Sequence, residues 1–203
     1  MRFLANFLIF SGLVILLIVF FPVLKQEITY RSEKFAGIEY SLTVDTPLSD
    51  NKVRQIIPLD TEFGIIIPKI NVNAKIFPNI DFYNEKEYLP VLKKGVGHAK
   101  GTGFPGEGKS IFLFAHSTDN FFNFHQYNAI FYLIGKLEKD DEVDIYYQKK
   151  LFKYFVLEKF VVSPEISETY LKPQNGEVLI LQTCYPPGTT LKRLIVIAGR
   201  GID

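Results

Sequence analysis

Three residues of this chain combine reactive chemistry with a position at the edge of an apolar run. Cys184 follows VLILQT (178–183) and is itself followed by Tyr-Pro-Pro-Gly. Proline cannot donate to a strand ladder and Pro-Gly builds a turn, so a strand must stop there. Arg193, nine positions on, opens the run RLIVIAG (193–199). If the two runs pair as a hairpin, Cys184 and Arg193 reach the same rim. His116 ends SIFLFA (110–115) just before the polar Ser117-Thr118-Asp119-Asn120. A thiolate is a nucleophile, and a nearby imidazole can take or supply protons. An arginine keeps its charge at any working pH and can hydrogen-bond the oxyanion of a tetrahedral intermediate. Together the three suit acyl transfer.

Plainer readings compete with that one. Free cysteine is among the most buried residue types, an arginine flanking a strand is often a solvated face, and a lone histidine is often structural. Zinc held by Cys184 with His98, His116 or His125 is a further alternative, although no pair has a tight ligand spacing. His98, in GVGHAKGTGFPGEG, is expected to order a loop, and His125, in FFNFHQY, to pack or lie at the surface. With one cysteine in 203 residues, an internal disulfide framework and any multi-cysteine metal cluster are excluded. An exported domain with an unpaired cysteine leans toward a reactive thiol. Spacing and composition alone leave a Cys–His enzyme and a structural thiol both standing.

The elements that must position these residues read mainly as strands. Beyond Pro58, short runs rich in Ile, Val, Phe and Tyr alternate with Gly and Pro: FGIIIP (63–68), SIFLFA, VDIYY (143–147), LFKYFVLEKFVV (151–162), VLILQT and RLIVIAG. Several are continuously apolar, as in strands buried on both faces or in a closed barrel. Helices are expected around Phe82–Lys94 and Ala129–Leu137. The acidic run Glu138, Asp140, Asp141, Glu142 and Asp144 reads as a solvated turn.

The mean hydropathy of +0.11 owes much to the front of the chain. Phe3–Leu24 carries no charge; as a helix it would span roughly 33 Å, enough to cross a bilayer. No small-x-small cleavage site follows, so an uncleaved signal anchor is expected over a cleaved signal peptide. Residues 25–57 turn polar, a juxtamembrane stalk or N-terminal arm that is helical at its start. The divisions expected are therefore 1–24 anchor, 25–57 stalk and 58–203 catalytic domain. Lys and Arg number 23 against 22 Asp and Glu. That lacks the basic surplus that nucleic-acid binding needs.

The motifs resemble those of the sortases, membrane-anchored cysteine transpeptidases. LQTCYPPGTTLKRLIVIAG is similar to their Thr-Cys strand end, Pro-containing turn and Arg-opened last strand, and Phe114-Ala115-His116-Ser117 to their strand-end His motif. Ile66–Ile70, GVGHAKGTGFPGEGKS and FYLIGKLEKDDEVDIYY extend the resemblance over Pro58–Gly199, with Ala115 where Gly is commoner and Lys139–Glu142 replacing a Gly-Asp pair. The resemblance implies a mainly β fold: a closed eight-stranded barrel with short helices, preceded by one N-terminal transmembrane helix. It implies Cys184 as nucleophile, His116 as general acid/base and Arg193 as oxyanion and substrate clamp, with no cofactor and no metal. The substrates implied are secreted proteins bearing an LPxTG-like C-terminal sorting signal. The acceptor implied is an amine on a peptidoglycan precursor or on a lysine of another subunit. The amino terminus would lie inside the cell and the catalytic domain outside. The Tyr-Pro-Pro-Gly turn looks most like the class D or E types, and specificity is expected in the loop Ser163–Gly176. Two other functions remain in competition: a hydrolytic cysteine protease, and an inactive sortase-like barrel that only binds peptide or assembles with envelope proteins.

Overall fold

The computed structural model describes residues 2–42, 53–117, 129–172 and 176–201, apart from the side chains of residues 2, 19, 20, 22 and 23. A long helix, α1 (Arg2–Ala36), leads into a small parallel pair, β1 (Glu39–Ser41) and β2 (Val53–Gln55). The rest of the chain builds a barrel from β3 (Phe63–Ile67), β4 (Val72–Ile80), β5 (Val96–Ala99), β6 (Ile111–Phe114), β7 (Glu142–Tyr147), β8 (Lys150–Val162), β9 (Val178–Tyr185) and β10 (Lys192–Arg200). Around the closed barrel they run β10-β8-β7-β3-β4-β5-β6-β9. The eight-stranded barrel expected from the sequence is the observed fold.

The continuously apolar runs are explained by two packed faces. One set of side chains, including Ile65, Ile76, Ile111, Leu113, Ile145, Leu179, Leu181 and Val196, fills the interior. Each such Ile or Leu stabilises by roughly 1.5–3 kcal/mol when fully buried. The alternate set, Phe112, Phe114, Ile180 and Ile195, faces outward and is buried as well. A short helix, α2 (Glu85–Leu92), lays Leu92 on this second face beside the half-buried Tyr88 and Val91. Glu85 and Glu87 sit in its first turn, where carboxylates complement the helix dipole.

Two sequence expectations for the residues beyond Pro58 change. Residues 129–137 form turns and one 3-10 turn (Ile134–Lys136) instead of an α-helix. Asp144 is not part of a solvated turn: it is fully buried, and neither carboxyl oxygen has a hydrogen-bond partner. It lies on β7 between Ile66 of β3 and Lys153 of β8. Burial first, and then the neighbouring Glu142 carboxylate, raise its pKa to about 8. Its neighbours in the acidic run do meet solvent and partners, Glu138 and Asp141 both binding Lys69.

Among the described residues no helix is long and apolar enough to cross a membrane, so the structure does not show the spanning segment expected over Phe3–Leu24. The helix continues past Leu24 to Ala36, and its charged second half docks on the barrel. Glu27 pairs with Lys136 at 3.1 Å, whose ammonium lies over the Tyr30 ring.

Candidate active site

Three adjacent strands bring the expected residues to one end of the barrel. β9 lies between β6 and β10. In the antiparallel β9–β10 ladder Cys184 is directly opposite Arg193, which sets their side chains on the same face with Cβ atoms about 4.5–5.5 Å apart. β6 runs parallel to β9, with Phe114 paired to Gln182. Beyond that pair, the Ala115 amide donates to the Gln182 carbonyl at 3.2 Å, and Thr183 Oγ1 donates to the Ala115 carbonyl at 2.9 Å. The next residues on the two strands are His116 and Cys184. All three sequence-predicted residues therefore converge, each half-buried. The His116 carbonyl accepts from Phe131 N–H at 3.2 Å, tying the end of β6 to the following turn.

Residue parity selects the face. Leu179 and Leu181 point into the barrel, whereas Ile180 belongs to the outer cluster under α2. Cys184, two and four positions beyond Gln182 and Ile180, shares their face. The thiol thus tops an apolar outer surface walled by Phe114 and Tyr88, whose rings meet edge-on at 6.2 Å. Close packing makes Gly97 necessary here: a Cβ would come within 2.7 Å of the Phe114 ring.

The electrostatics oppose one another at the thiol. Burial pushes Cys184 up, and the Arg193 charge pulls it back without cancelling the rise. Arg193 is held in place by donating from Nη1 to the Thr190 carbonyl at 2.9 Å and to the Lys192 carbonyl at 3.1 Å. Tyr88 is raised by burial, then by Glu85; the Cys184 and Arg193 charges also act on it, which sets its phenol in the field of the site. The loop expected to set specificity contributes α3 (Pro164–Ser167), which packs on β10 and is capped by Ser163. Residues 173–175 of that loop lie outside the described residues.

The zinc alternative loses one candidate ligand. His98 is fully buried; its Nδ1 accepts from Asn79 N–H at 3.2 Å and its Nε2 donates to the Gly103 carbonyl at 2.9 Å. Burial lowers its pKa. It orders the loop, as the sequence suggests. His125 lies outside the described residues. Among the described residues no group of three or more His, Cys, Asp or Glu could hold a metal ion. A cavity of about 500 Å³ between α1 and Leu133 contains none of the three candidate residues in its lining.

Two residues near the thiol escape sequence reasoning. Tyr88 carries its signal only once α2 is known to lie over β5 and β6. Gln182 interrupts an otherwise apolar run, and its place two residues before Cys184 is the only hint in the sequence.

The sortase domain family model matches residues 65–200. Sortase D of Bacillus subtilis (strain 168) is 28% identical over 184 residues, 87% of this chain and 84% of that protein. Among solved structures, sortase C-1 from Actinomyces oris is similar with a TM-score of 0.57 and 28% identity, over 71% of this chain and 76% of that one. A Clostridium perfringens sortase D5 transpeptidase is similar with a TM-score of 0.53 and 26% identity, over 72% and 82%.

Proposed function

The chain belongs to the sortase family, and from that premise we propose that it is a cysteine transpeptidase acting on an LPxTG-like sorting signal through Cys184. The observation that carries the proposal is the β6-β9-β10 order, with Cys184 opposite Arg193 and next to His116 at the strand ends. Cys184 Sγ attacks the scissile carbonyl, and the Arg193 guanidinium stabilises the oxyanion that develops. His116 gives its proton to the departing amine, so the C–N bond breaks and a thioester remains. An incoming amine then attacks the thioester and loses a proton to His116; the new amide forms and Cys184 leaves as thiolate. The acceptor we favour is an amine of the cell envelope, on a peptidoglycan precursor or on a lysine of another protein subunit.

Burial of the thiol bears on this cycle. Burial disfavours the attacking thiolate of Cys184 in the free enzyme. Arg193 supports that form electrostatically. For location, we propose that the first part of α1 sits in the membrane with the barrel outside the cytoplasm. Phe3, Leu4, Phe7, Ile9 and Phe10 are all exposed, and lipid is the solvent that suits such side chains.

The test is incubation with sorting-signal peptides and an amine. A thioester adduct on Cys184 and a ligated product are expected. Cys184→Ala should form neither, and Arg193→Ala should lose roughly 10²–10³-fold in kcat. Turnover by Cys184→Ala refutes the mechanism, and hydrolysis alone at saturating amine supports the protease instead.

A further inference from the structure

The uncharged run of α1 ends beside a cavity. The helix is pinned to the barrel where Glu27 pairs with Lys136 at 3.1 Å. Next to that pin a space of about 500 Å³ is lined by Phe21, Lys25, Gln26, Thr29, Ile70 and Leu133, among others. A smaller one of about 180 Å³ adjoins it, with Gln26, Ile70 and Leu133 lining both. The larger volume falls within the range of small-ligand sites, roughly 300–1,000 Å³. Two charged residues of the lining are already committed. Lys69 binds Glu138 and Asp141 at 3.0 and 2.7 Å, and Glu33 binds Tyr40 at 2.7 Å and Arg54 at 3.2 Å. Lys25 has no ion-pair partner among the described residues. The Gln26 carboxamide oxygen is buried with no hydrogen-bond partner. Such an unmet carbonyl costs stability that an aliphatic side chain would not. The last torsion of a glutamine is soft, so a small rotation brings that oxygen to the cavity.

We propose that this cavity binds one anionic glycerophospholipid, with its phosphate on the Lys25 ammonium and a headgroup hydroxyl donating to the Gln26 carboxamide oxygen. The inference goes beyond the transpeptidase reading and rests on the placement of the first part of α1 in the membrane. Position identifies the ligand. Phe3–Leu24 carries no charge, so residues 21–25 stand where hydrocarbon gives way to headgroups. Phe21 is 61% exposed and lines the cavity. Lys25 follows it by four positions, about one helical turn, on the same face. The wall thus passes from apolar to cationic within one turn, the order in which a phospholipid presents its acyl chains and its phosphate. A soluble anion would satisfy Lys25 and leave Phe21 and Leu133 facing water; a lipid covers all three. The bound lipid fills the gap between helix and barrel and joins the domain to the bilayer surface.

The experiment uses the full chain in detergent with phosphatidylglycerol, phosphatidylcholine or glycerol phosphate added. Native mass spectrometry counts retained lipid, and thermal unfolding reports its effect on Tm. One phosphatidylglycerol should be retained and should raise Tm; phosphatidylcholine should do neither. Lys25→Gln should weaken the retention about tenfold, whereas Lys34→Gln, on the same helix but outside the cavity lining, should not change it. Gln26→Leu should weaken it severalfold and leave the lipid-free Tm equal to or above that of the wild type. Thr29→Trp should fill the space and retain no lipid; if that variant does not fold, Thr29→Phe replaces it. Equal losses in Lys25→Gln and Lys34→Gln would mean attraction to surface charge alone and overturn the proposal. An equal rise in Tm with glycerol phosphate overturns the lipid as ligand. Flotation with vesicles of equal parts phosphatidylglycerol and phosphatidylcholine separates the two premises. A chain that floats but retains no lipid overturns this proposal alone, and one that does not float overturns the membrane placement as well. Thioester formation at Cys184 is read separately and is untouched by either result.

Discussion

Substituting Asp144 by Asn should remove a pH dependence that the fold carries in one residue. Asp144 is fully buried without a hydrogen-bond partner, and its pKa stands at about 8, against about 3.9 in an unfolded chain. Between those values the folded state holds a proton that the unfolded state has released. Stability therefore falls as pH rises through that window and levels off above it. One full proton corresponds to about 1.4 kcal/mol per pH unit. From pH 5.5 to 7.5 the wild type should lose up to about 2.7 kcal/mol more than Asp144→Asn, which has no proton to hold. At roughly 2–4 °C per kcal/mol for a chain of this size, that is about 5–10 °C in Tm. The assay is thermal unfolding of both proteins in detergent across that range. Titrating groups away from Asp144 act on both curves and cancel in the difference. Parallel curves would refute the reasoning, because they would mean that Asp144 is ionised in the folded state or reaches water.

Two further outcomes follow from the same kind of accounting. The Glu177 carboxylate accepts from Tyr154 Oη at 2.7 Å and from the Gly106 and Gly108 amides, and it pairs with Arg200 at 3.2 Å. Burial raises its pKa, but these donors together hold it below the usual carboxylate range. Glu177→Ala strands the buried Tyr154 hydroxyl and should cost roughly 3–5 kcal/mol, read by denaturant unfolding near pH 7; the advantage of the wild type should shrink as pH falls below about 4. For Cys184, the rate of alkylation by a neutral reagent should keep rising above the ordinary thiol range, and Arg193→Gln should move the midpoint higher still, because it removes the charge that favours the thiolate. A midpoint unchanged by Arg193→Gln would show that the two groups do not interact.

The strands that carry the site are legible in the sequence because burial on two faces leaves β6, β9 and β10 almost free of polar residues. β4 is not legible. Its pattern mixes buried Val72, Ala74 and Ile76 with exposed Lys75, Pro78 and Asn79, and Asn79 takes a positive φ of 57° where the pairing with β5 shifts. β5 hides for a different reason: VGHA reads as glycine-rich loop, yet Gly97 is there to admit the Phe114 ring. The 129–137 segment has an apolar stripe fit for a helix, but it is spent in turns around Gly135. At the site, Cys184, His116 and Arg193 stand out because each is reactive and ends or opens an apolar run. Tertiary packing alone separates Asp144 from its solvated neighbours and gives Gln182 a floor to interrupt.

The parallel pairing of β6 with β9 also makes the site a record of completed folding. The bond from Thr183 to Ala115 spans 68 positions, so no local segment of the chain contains the reactive centre in miniature. Until that closure forms, the thiol has neither its imidazole nor its apolar floor. A slip of one residue in β9 would turn Cys184 into the barrel interior. Long-range closures of this kind form late and slowly. An unfinished chain thus carries an ordinary cysteine, and the reactivity proposed for Cys184 would emerge only with the finished barrel.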